Sequence, residues 1–341
     1  MITLQRTRAL SPPLACPQAN NRSGHSGLDK VPKTNRRQRQ HHRWQALELF
    51  SGIGGFGVVA RESGVEVVAA VDQAADAGAT YRLNHGFAPD CRTLDSLDLA
   101  ALPAAGLWWM SPPCTPFTRR GRRADAADPR ASALLRLVDE IGRQGTPHRP
   151  QWILLENVTG FRGSVVHRRL LEGWEAAGYA VRELELCPTR FGIPMKRPRI
   201  FLAAGRDGPA TLPEPPRASP RPLAGFLDRA ADDDPALRVP DERAERYAPV
   251  LNVVDPADPA AVAICFTSGY GRGLKAGGSF LRLAGGGLRA FSPGEILSLL
   301  GFPSGYRFPG TVSLRRRWQL AGNSLSLDCV RWLVRATLSR C

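Results

Sequence analysis

The chain has 341 residues, of which 46 are Lys or Arg and 31 are Asp or Glu, giving a formal net charge of +15, and 43% of its residues are hydrophobic. This is enough apolar material for one large core, or for a core and a small second domain, so a mini-protein held together by disulfides is excluded. The positive charge suggests a polyanionic partner, with nucleic acid ahead of an anionic membrane surface.

The seven cysteines are odd in number and form no Cys-x-x-Cys pair. This argues against a disulfide scaffold and against a zinc ribbon, so we predict no metal site. No apolar run is long enough to span a membrane, and residues 1–44 lack the apolar segment of a signal peptide. We therefore expect a monomeric, cytoplasmic protein that does not bind membranes.

Residues 1–44 are rich in Pro, Ser, Asn, Gln and Arg and show no apolar periodicity, which predicts a disordered basic arm. The arm has nine Lys or Arg and one Asp, so it contributes +8 of the net charge of +15. It either binds nucleic acid loosely or has no role. More than half of the net positive charge that suggests a polyanionic partner therefore lies in this arm and not in the remainder of the chain.

From Trp44 onward, strand-like and helix-like segments alternate. An apolar strand precedes a glycine-rich turn and a helix, and a second strand ends at Asp72. Further strands are predicted at residues 106–110, 152–155, 179–186 and 199–204, with helices at 131–142 and 166–177. The alternation predicts an α/β fold with a doubly wound, mostly parallel sheet that helices cover on both faces.

The alternation stops at about residue 206 and resumes at about 289. Eleven of the 29 prolines lie between Pro209 and Pro259, and a glycine-rich stretch follows them. This composition predicts an inserted, loop-rich small domain. The predicted domains are therefore a catalytic and cofactor-binding domain at 45–205, the insertion at 206–288, and a return to the catalytic domain at 289–341, with helices near 293–300 and 324–338.

The glycine-rich turn Gly52-Ile53-Gly54-Gly55-Phe56-Gly57 matches Gly-x-Gly-x-x-Gly directly after a strand, with Asp72 twenty residues after Gly52. Such a turn brings backbone close to a ligand at a helix start and places a carboxylate on a ribose diol. A dinucleotide dehydrogenase fits the same pattern, as does a tight turn without a ligand. The preceding Phe50-Ser51 favours S-adenosylmethionine over NAD, because an aromatic ring there suits packing on adenine.

A cysteine flanked by prolines follows the next strand, in Pro112-Pro113-Cys114-Thr115-Pro116. The prolines keep the backbone out of helix and sheet, so the thiol is displayed at the carboxyl edge of the sheet, where α/β proteins bind ligands. Neighbouring arginines are expected to favour the reactive thiolate. A buried structural cysteine in a proline-rich turn is the alternative.

Charged residues follow two further strands. Glu156 comes at the end of a strand. Burying an unpaired charge there costs free energy, so a carboxylate in such a position more often has a functional role than a purely structural one. Arg197 and Arg199 alternate on a strand and so lie on one face of the chain. Each alone is an ordinary ion-pair partner, but a cysteine, a carboxylate and an arginine pair at successive sheet edges indicate a catalytic site.

The ordered motifs resemble those of a cytosine-C5 methyltransferase of the DNA-methyltransferase superfamily. They are Phe50-Ser51-Gly52-Ile53-Gly54-Gly55, Pro112-Pro113-Cys114, Glu156-Asn157-Val158, Arg197-x-Arg199 and Gly322-Asn323-Ser324. The stretch from Arg289 to Glu295, followed by Leu300-Gly301-Phe302-Pro303, is similar to the penultimate motif of the family. The insertion at 206–288 then corresponds to the family's target-recognition region.

Two stretches resemble the branch that methylates the anticodon loop of transfer RNA. One is Ser111 to Arg119, and the other is Cys265-Phe266-Thr267 within the insertion. The resemblance implies methylation of cytosine C5 in nucleic acid, with tRNA preferred and duplex DNA as the alternative. An NAD oxidoreductase is the rival from another class, but it leaves Cys114 and Glu156 unexplained.

The resemblance also implies roles for individual residues. Cys114 is expected to add to C6 of the base, Glu156 to hold the N3 and amino edge, and Arg197 or Arg199 to face O2. Expected contacts to S-adenosylmethionine are Phe50, Ser51, Gly52, Ile53, Gly54, Gly55, Asp72, Pro113, Asn323 and Ser324. Expected substrate contacts are Asn157, Arg119, Arg120, Arg122, Cys265, Phe266 and Thr267.

Three positions depart from the family pattern. Met195 stands where the family usually has Gln or a small polar residue, and Thr115 replaces the usual Gln beside the cysteine. Near Cys91 to Asp95, at a predicted third strand, the acidic residue expected to meet the adenine amino group is not clearly placed.

Overall fold

A computed structural model of the chain describes residues 44–114, 117, 125–142, 149–206, 208, 211–275 and 277–339. The predicted disordered arm lies outside these residues, apart from Trp44, which begins the first strand. Arg119, Arg120, Arg122 and Thr115 also lie outside them. No helix in these residues is long and apolar enough to cross a membrane.

A six-stranded sheet forms the centre of the fold, with the strand order β2-β1-β3-β4-β7-β5. Its strands, in chain order, are β1 (Trp44–Leu49), β2 (Val65–Val71), β3 (Leu107–Met110), β4 (Trp152–Val158), β5 (Ala180–Leu186) and β7 (Arg199–Gly205). β7 runs antiparallel to both of its neighbours, and the other paired strands are parallel. The predicted α/β fold with a mostly parallel sheet is therefore confirmed.

Helices cover both faces of this sheet. They are α1 (Gly55–Glu62), α2 (Ala75–His85), α3 (Ser132–Gly142), α4 (Val165–Ala176), α6 (Pro293–Leu299), α7 (Leu314–Gly322) and α8 (Leu327–Leu338). Side chains alternate along β3, so Trp109 packs with α1 and α8, while Trp108 packs with α3 and α4. Two hydrophobic cores result, one on each side of the sheet.

The predicted third strand is not formed. Only one bridge, between Val71 and Asp90, continues the sheet beyond β2. The chain from Arg92 to Asp95 then leaves the sheet and passes along the cavity described below. A polar sequence with one buried leucine there gives no apolar alternation to hold a longer strand in the sheet.

The insertion folds around a small sheet with the strand order β8-β12-β11-β9. Its elements are β8 (Arg238–Val239), α5 (Asp241–Tyr247), β9 (Asn252–Val254), β10 (Ala263–Ile264), β11 (Ser279–Arg282) and β12 (Leu288–Ala290). Its apolar side chains, such as Phe280 and Tyr270, belong to the same core as Trp109 of the central sheet. The division at 206 and 288 stays a prediction, and β12 crosses the second boundary.

One strand pair joins the insertion to the catalytic part. The short strand β6 (Met195–Lys196) pairs in parallel with β10, with Met195 opposite Ala263. Met195 is buried in the core, so its apolar side chain has a packing role at a position where the family usually has Gln or a small polar residue.

Arg289 makes a second connection between these parts. Its guanidinium is buried and donates to both carboxylate oxygens of Glu295, at 2.7 and 2.8 Å, and to Asp232 at 2.7 Å. Glu295 also accepts from the backbone N–H groups of Ser292 and Asp228, at 2.7 and 3.1 Å. Because Arg289 and Glu295 are buried and Glu295 is also held by two backbone N–H groups, this network holds the start of α6 against the insertion.

We expect Arg289→Met to lower the free energy of unfolding by about 3 kcal/mol, because it leaves the buried carboxylate of Glu295 without its cation. The measurement is urea unfolding followed by far-UV circular dichroism. Arg282→Met on β11, where the arginine is exposed, is the matched control and should change the stability little. Equal loss in both variants would contradict the structural role of Arg289.

Candidate active site

The glycine-rich turn begins where β1 ends and is held by backbone hydrogen bonds. Ser51 donates to the carbonyl of Val71 at 2.9 Å, and Gly54 donates to Ser51 at 2.9 Å. Gly52 and Gly54 have positive φ angles of 55° and 90°, and Phe50 has a φ angle of 58°. A residue with a side chain is strained in that left-handed region. The backbone conformation of Phe50 must therefore be held by the surrounding structure.

Asp72 closes the turn from the end of β2. One carboxylate oxygen accepts from the backbone N–H of Gly52 at 2.7 Å, and the other accepts from Ala74 at 2.8 Å. Burial raises the pKa of Asp72 above its usual value, against these hydrogen bonds and the charge of Arg316. Each oxygen retains a lone pair for a further donor, so the predicted contact to a ribose hydroxyl is geometrically open.

A layer of polar aromatic side chains lies beneath the turn. The hydroxyl of Tyr306 donates to the carbonyl of Ile53 and lies 3.3 Å from Nε2 of His85. A Cβ on Gly54 would overlap the rings of His85 and Tyr81, so only glycine fits there. Gly54 therefore faces the protein interior and supports the turn, whereas Gly52, Ile53 and Gly55 line the cavity.

Glu48 on β1 is the most deeply buried acid in this layer. It accepts a hydrogen bond from the Tyr81 hydroxyl at 2.9 Å and one from the backbone of Gly57 at 3.3 Å. Burial raises its pKa to about 8, although these hydrogen bonds lower it. The carboxyl group is therefore neutral at pH 7, and its hydrogen bonds connect β1 to Tyr81 and to the start of α1 below the turn.

A single cavity of about 440 Å³ joins the turn to the cysteine segment, a size in the range of small-molecule sites. Of the predicted residues, it is lined by Phe50, Ser51, Gly52, Ile53, Gly55, Asp72, Pro113, Cys114, Glu156, Arg197, Arg199, Asn323 and Ser324. The fold thus brings the cofactor-type residues and the reactive residues, which are far apart in sequence, around one space.

Cys114 lies at the carboxyl edge of the sheet, just beyond β3. Its carbonyl accepts from Phe117 at 3.0 Å, and its side chain is partly exposed to the cavity. Burial raises the pKa of the thiol, and the charges of Arg199 and Arg197 only partly oppose this. Arg199 and Arg197 thus favour the thiolate less than burial disfavours it. The arginines adjacent in sequence, for which this effect was expected, lie outside the described residues.

Glu156 and Arg199 form an ion pair across the sheet. The antiparallel register of β4 and β7 sets Val158 opposite Arg199, and the Arg199 side chain reaches back to Glu156, with Nε 3.2 Å from Oε1. Burial raises the pKa of Glu156, and the charges of Arg199 and Arg197 lower it in part. The carboxyl group thus lies in a site that favours its protonated form more than water does.

The Arg197 side chain is buried, and its guanidinium binds groups from other segments of the chain. Nη1 donates to the carbonyl of Phe266 at 3.1 Å and to the sulfur of Cys265 at 3.3 Å, and Nη2 donates to the carbonyls of Gly322 and Ser324 at 3.2 and 2.5 Å. All four terminal N–H groups are therefore used. Only Nε, which is buried, has no partner among the described residues.

Two predicted substrate contacts have structural roles. Asn157 is buried, donates to the carbonyl of Pro112 at 3.4 Å and accepts from Val158 at 2.8 Å, so it braces the cysteine segment. The ring of Phe266 packs in the core against Tyr270 and Phe291. Both side chains are buried and neither lines the cavity, so a contact of either residue with a substrate stays a prediction.

Thr267 and Cys265 lie beside the site but do not line the cavity. Thr267 packs against the end of α7, since a Cβ on Gly322 would lie 2.5 Å from the Thr267 carbonyl oxygen. The sulfur of Cys265 accepts from Arg197 and, at 3.5 Å, from Arg199. The parallel pairing of β6 with β10 explains this position, because it places Cys265 in register with Arg197.

Residues that the sequence analysis did not predict to be part of the site also line the cavity. Arg92, Thr93, Leu94 and Asp95 line it beside the turn, and Asp95 accepts from Ser132 at 3.1 Å. Asp95 is thus the acidic residue of the Cys91 to Asp95 segment that lines the cavity. Its position follows from the chain path after the Val71–Asp90 bridge, for which the local sequence gave no periodic signal.

The fold and site define an α/β enzyme in which a glycine-rich turn and a partly exposed cysteine share one cavity. The chain belongs to the cytosine-C5 methyltransferase family: the family described as C-5 cytosine-specific DNA methylase matches residues 44–232, more than half of the chain. The prediction that it is a cytosine-5 methyltransferase is confirmed.

Individual relatives cover most of the chain. A tRNA (cytosine(38)-C(5))-methyltransferase from Bos taurus is 30% identical, over 85% of this chain and 98% of the relative. A DNA (cytosine-5)-methyltransferase from Dictyostelium discoideum is 26% identical, over 86% of this chain and 94% of the relative. The crystal structure of S. pombe Dnmt2 methyltransferase is similar with a TM-score of 0.76 and 27% identity, over 87% of this chain and 99% of that chain.

We expect Gly322→Ala to lower the free energy of unfolding by about 1–3 kcal/mol, since the new Cβ would press on the Thr267 backbone and separate two segments that Arg197 joins. Alanine has a higher helix propensity than glycine, so a loss of stability in this variant can be attributed to the steric clash. Gly310→Ala is the control, because a Cβ there meets nothing within 4 Å. Calorimetric melting showing equal stability for both variants would contradict the close approach.

We expect Glu48→Gln to change how stability depends on pH. The carboxyl ionises near 4.5 in the unfolded chain but only near 8 in the fold, so this group lowers the free energy of unfolding as pH rises between these values. Gln mimics the neutral form. The free energy of unfolding of Glu48→Gln, measured relative to wild type, should rise by more than about 1.4 kcal/mol, the value of one pKa unit, between pH 5 and pH 8. A constant difference in urea unfolding at both pH values would contradict this.

Proposed function

We propose that this protein transfers the methyl group of S-adenosylmethionine to C5 of cytosine in nucleic acid, with tRNA as the preferred substrate. One observation carries the proposal: a single cavity connects the glycine-rich turn and Asp72 to Cys114, Glu156 and Arg199. A methyl donor at the turn and a base at the cysteine then share one space, as direct transfer between them requires.

The residues of the cavity fit S-adenosylmethionine. A Cβ on Gly52 would meet nothing within 4 Å, so the backbone there is open to close approach. The hydroxyl of Ser51 is buried and has no partner among the described residues, which leaves it available to a ligand. Asp72 and Asp95 supply acceptors for ribose hydroxyls and the adenine amino group. Bound there, S-adenosylmethionine supplies an electrophilic methyl group.

Cys114 begins the chemistry as the nucleophile. Its sulfur forms a bond to C6 of cytosine, and the electron pair of the C5–C6 bond moves into the ring toward N3. Burial raises the pKa of Cys114, so its thiol must first give its proton to a water molecule in the cavity before the sulfur adds to C6. C5 is then electron-rich and accepts the methyl group. Loss of the C5 proton to a base expels the Cys114 thiolate and restores the ring.

Glu156 is the acid for N3. Burial raises its pKa, which makes the protonated form easier to reach than in water, and a hydrogen bond from that form to N3 draws charge into the ring as Cys114 adds. Arg199 is the arginine that faces the base at O2, because it is paired with Glu156 and borders the cavity. Arg197 has its terminal donors committed to carbonyls and sulfur, so its role is to hold the site together.

The preference for tRNA rests on the named relatives and on base accessibility. A bovine relative is a tRNA (cytosine(38)-C(5))-methyltransferase. A target base must leave its stack, which costs about a few kcal/mol in a duplex and less for an unpaired loop base. Duplex DNA is the second candidate, supported by the Dictyostelium relative. Family membership removes the NAD oxidoreductase, while a cytoplasmic location and a monomeric state stay predictions.

The decisive experiment incubates the protein with tritiated S-adenosylmethionine and, separately, total tRNA and duplex DNA. We expect label in tRNA, released as 5-methylcytosine on digestion. Cys114→Ala should reduce labelling by more than about 100-fold, because the covalent route is lost. Cys329→Ala, a buried cysteine of α8 that does not line the cavity, is the matched control and should retain labelling. Label in DNA alone would overturn the preferred substrate, and full activity of Cys114→Ala would overturn the mechanism.

A further inference from the structure

We propose that the salt bridge between Arg316 and Asp76 gates the cofactor end of the cavity, so that S-adenosylmethionine enters, and its demethylated product leaves, only while this bridge is open. The proposal rests on the proposed function, because it takes the cavity to hold this cofactor. Both residues control ligand exchange in this proposal and take no part in the transfer of the methyl group.

The bridge joins two walls of the cavity. One wall contains Ala77 on α2 and Ala74 just before it, and the other contains Arg316 and Leu320 on α7. Nε of Arg316 donates to Oδ2 of Asp76 on α2 at 2.8 Å. The two partners are 240 residues apart in sequence, so the contact ties together walls that come from distant parts of the chain.

The position of Arg316 along α7 places the bridge at the outer edge of the cavity. Arg316 and Leu320 are four residues apart and therefore lie on the same face of the helix. Leu320 is buried, whereas the side chains of Arg316 and Asp76 are 30% and 48% exposed. Because Arg316 both lines the cavity and meets solvent, its bridge lies at a boundary that a ligand must cross.

The charge of Arg316 also acts on the residue proposed to hold the ribose. Burial raises the pKa of Asp72, and the charge of Arg316 is among the effects that lower it. The guanidinium therefore lies close enough to Asp72 for an electrostatic interaction. A ligand that Asp72 holds is thus next to the bridge.

The other exposed arginines of the cavity make a different kind of ion pair. Among the described residues that line it, Arg92 and Arg130 also have exposed side chains. Each pairs at 2.6 Å with the aspartate two residues earlier, Asp90 or Asp128. Such a pair holds an arginine to its own segment and cannot close an opening. Arg316 differs because its partner lies on another helix.

The local structure orients both partners of the bridge. Nη1 of Arg316 donates to Oε1 of Gln319 on the same helix at 2.7 Å. Asp76 lies in the first turn of α2, where the helix dipole stabilises a carboxylate. Every atom of the bridge belongs to the chain, so the bridge forms with or without a ligand behind it. It therefore opposes entry as well as release.

The strength of the bridge sets the size of its effect. Exposed ion pairs are weak, and exposed side chains change rotamer within nanoseconds. The bridge thus opens and closes many times before a ligand passes, and the association and dissociation rate constants both scale with the open fraction. Loss of the bridge should raise both rate constants by about threefold to fivefold and leave their ratio, the Kd, nearly unchanged.

Surface plasmon resonance of the full chain with S-adenosylhomocysteine measures both rate constants without any activity. This product is a zwitterion without net charge, so distant charges affect its association little. We expect Arg316→Met to raise both rate constants by about threefold to fivefold. Arg315→Met is the matched control: it removes the same charge from the next residue, which is exposed and does not line the cavity, and should change neither rate constant.

Asp76→Asn removes the bridge from its other side. It changes the net charge in the opposite direction from Arg316→Met, yet it should raise both rate constants by a similar factor. The double variant should be no faster than either single variant, because the same contact is lost in all three. Far-UV circular dichroism shows whether each variant is folded.

Three results would overturn the gate. One is unchanged rate constants in both Arg316→Met and Asp76→Asn. Another is faster dissociation with unchanged association in Arg316→Met, which would make Arg316 a direct contact of the ligand. The third is equally fast exchange in Arg315→Met, which would assign the effect to charge alone.

The gate and the proposed function can be told apart. If wild type does not bind S-adenosylhomocysteine, the proposed cofactor is wrong and the gate is overturned with it. If wild type binds it and labels tRNA, but both bridge variants exchange it at the rates of wild type, the methyl transfer stands and the gate alone is overturned.

Discussion

The buried guanidinium of Arg197 is the interaction on which the active site depends. It leaves the sheet edge just before β7 and binds backbone carbonyls of Phe266, Gly322 and Ser324, which come from two distant parts of the chain. A charge is buried at this depth only when its donors are matched, so the insertion and the C-terminal return must both be in place. The cavity therefore forms only when the catalytic part, the insertion and the return segment have assembled.

The chemistry of the site follows from the same burial. Cys114 and Glu156 are largely surrounded by protein, and burial raises the pKa of both because it disfavours the charged form. For Glu156 this suits an acid that gives a hydrogen bond to N3. For Cys114 it keeps the thiol in its less reactive protonated form until a base enters, since the thiolate is the nucleophilic form. In the proposed mechanism, burial thus favours both the acid form of Glu156 and the thiol form of Cys114.

The sequence predicted the central strands and the two helices α3 and α4 closely. Apolar alternation in strands and an apolar stripe in helices are local signals that do not need a partner to be visible. It did not predict α2 or α7, which carry small and charged residues on most positions and depend on packing for stability. The strand β4 extends to Val158, because Glu156 is paired across the sheet rather than placed beyond its end.

The candidate site was predicted in part, for a related reason. Residues with an intrinsic chemical role were identified from their types and order, among them Cys114, Glu156 and the glycine-rich turn. Asn157 and Phe266 lie in the same motifs, but neither points to the cavity, and sequence order cannot distinguish a buried neighbour from a contact. Asp95 was left unplaced because the chain path beyond the last sheet bridge is set by packing alone.

By itself, the sequence determined the family, the α/β fold and the residues able to carry covalent chemistry, because each is encoded in residue type and short spacing. Only the tertiary structure decided which charges meet. It assigned Arg197 to backbone carbonyls and Arg199 to Glu156, and it set Cys265 between them through the pairing of β6 with β10. Contact between groups more than forty residues apart depends on strand register and burial, and neither can be seen in the local sequence.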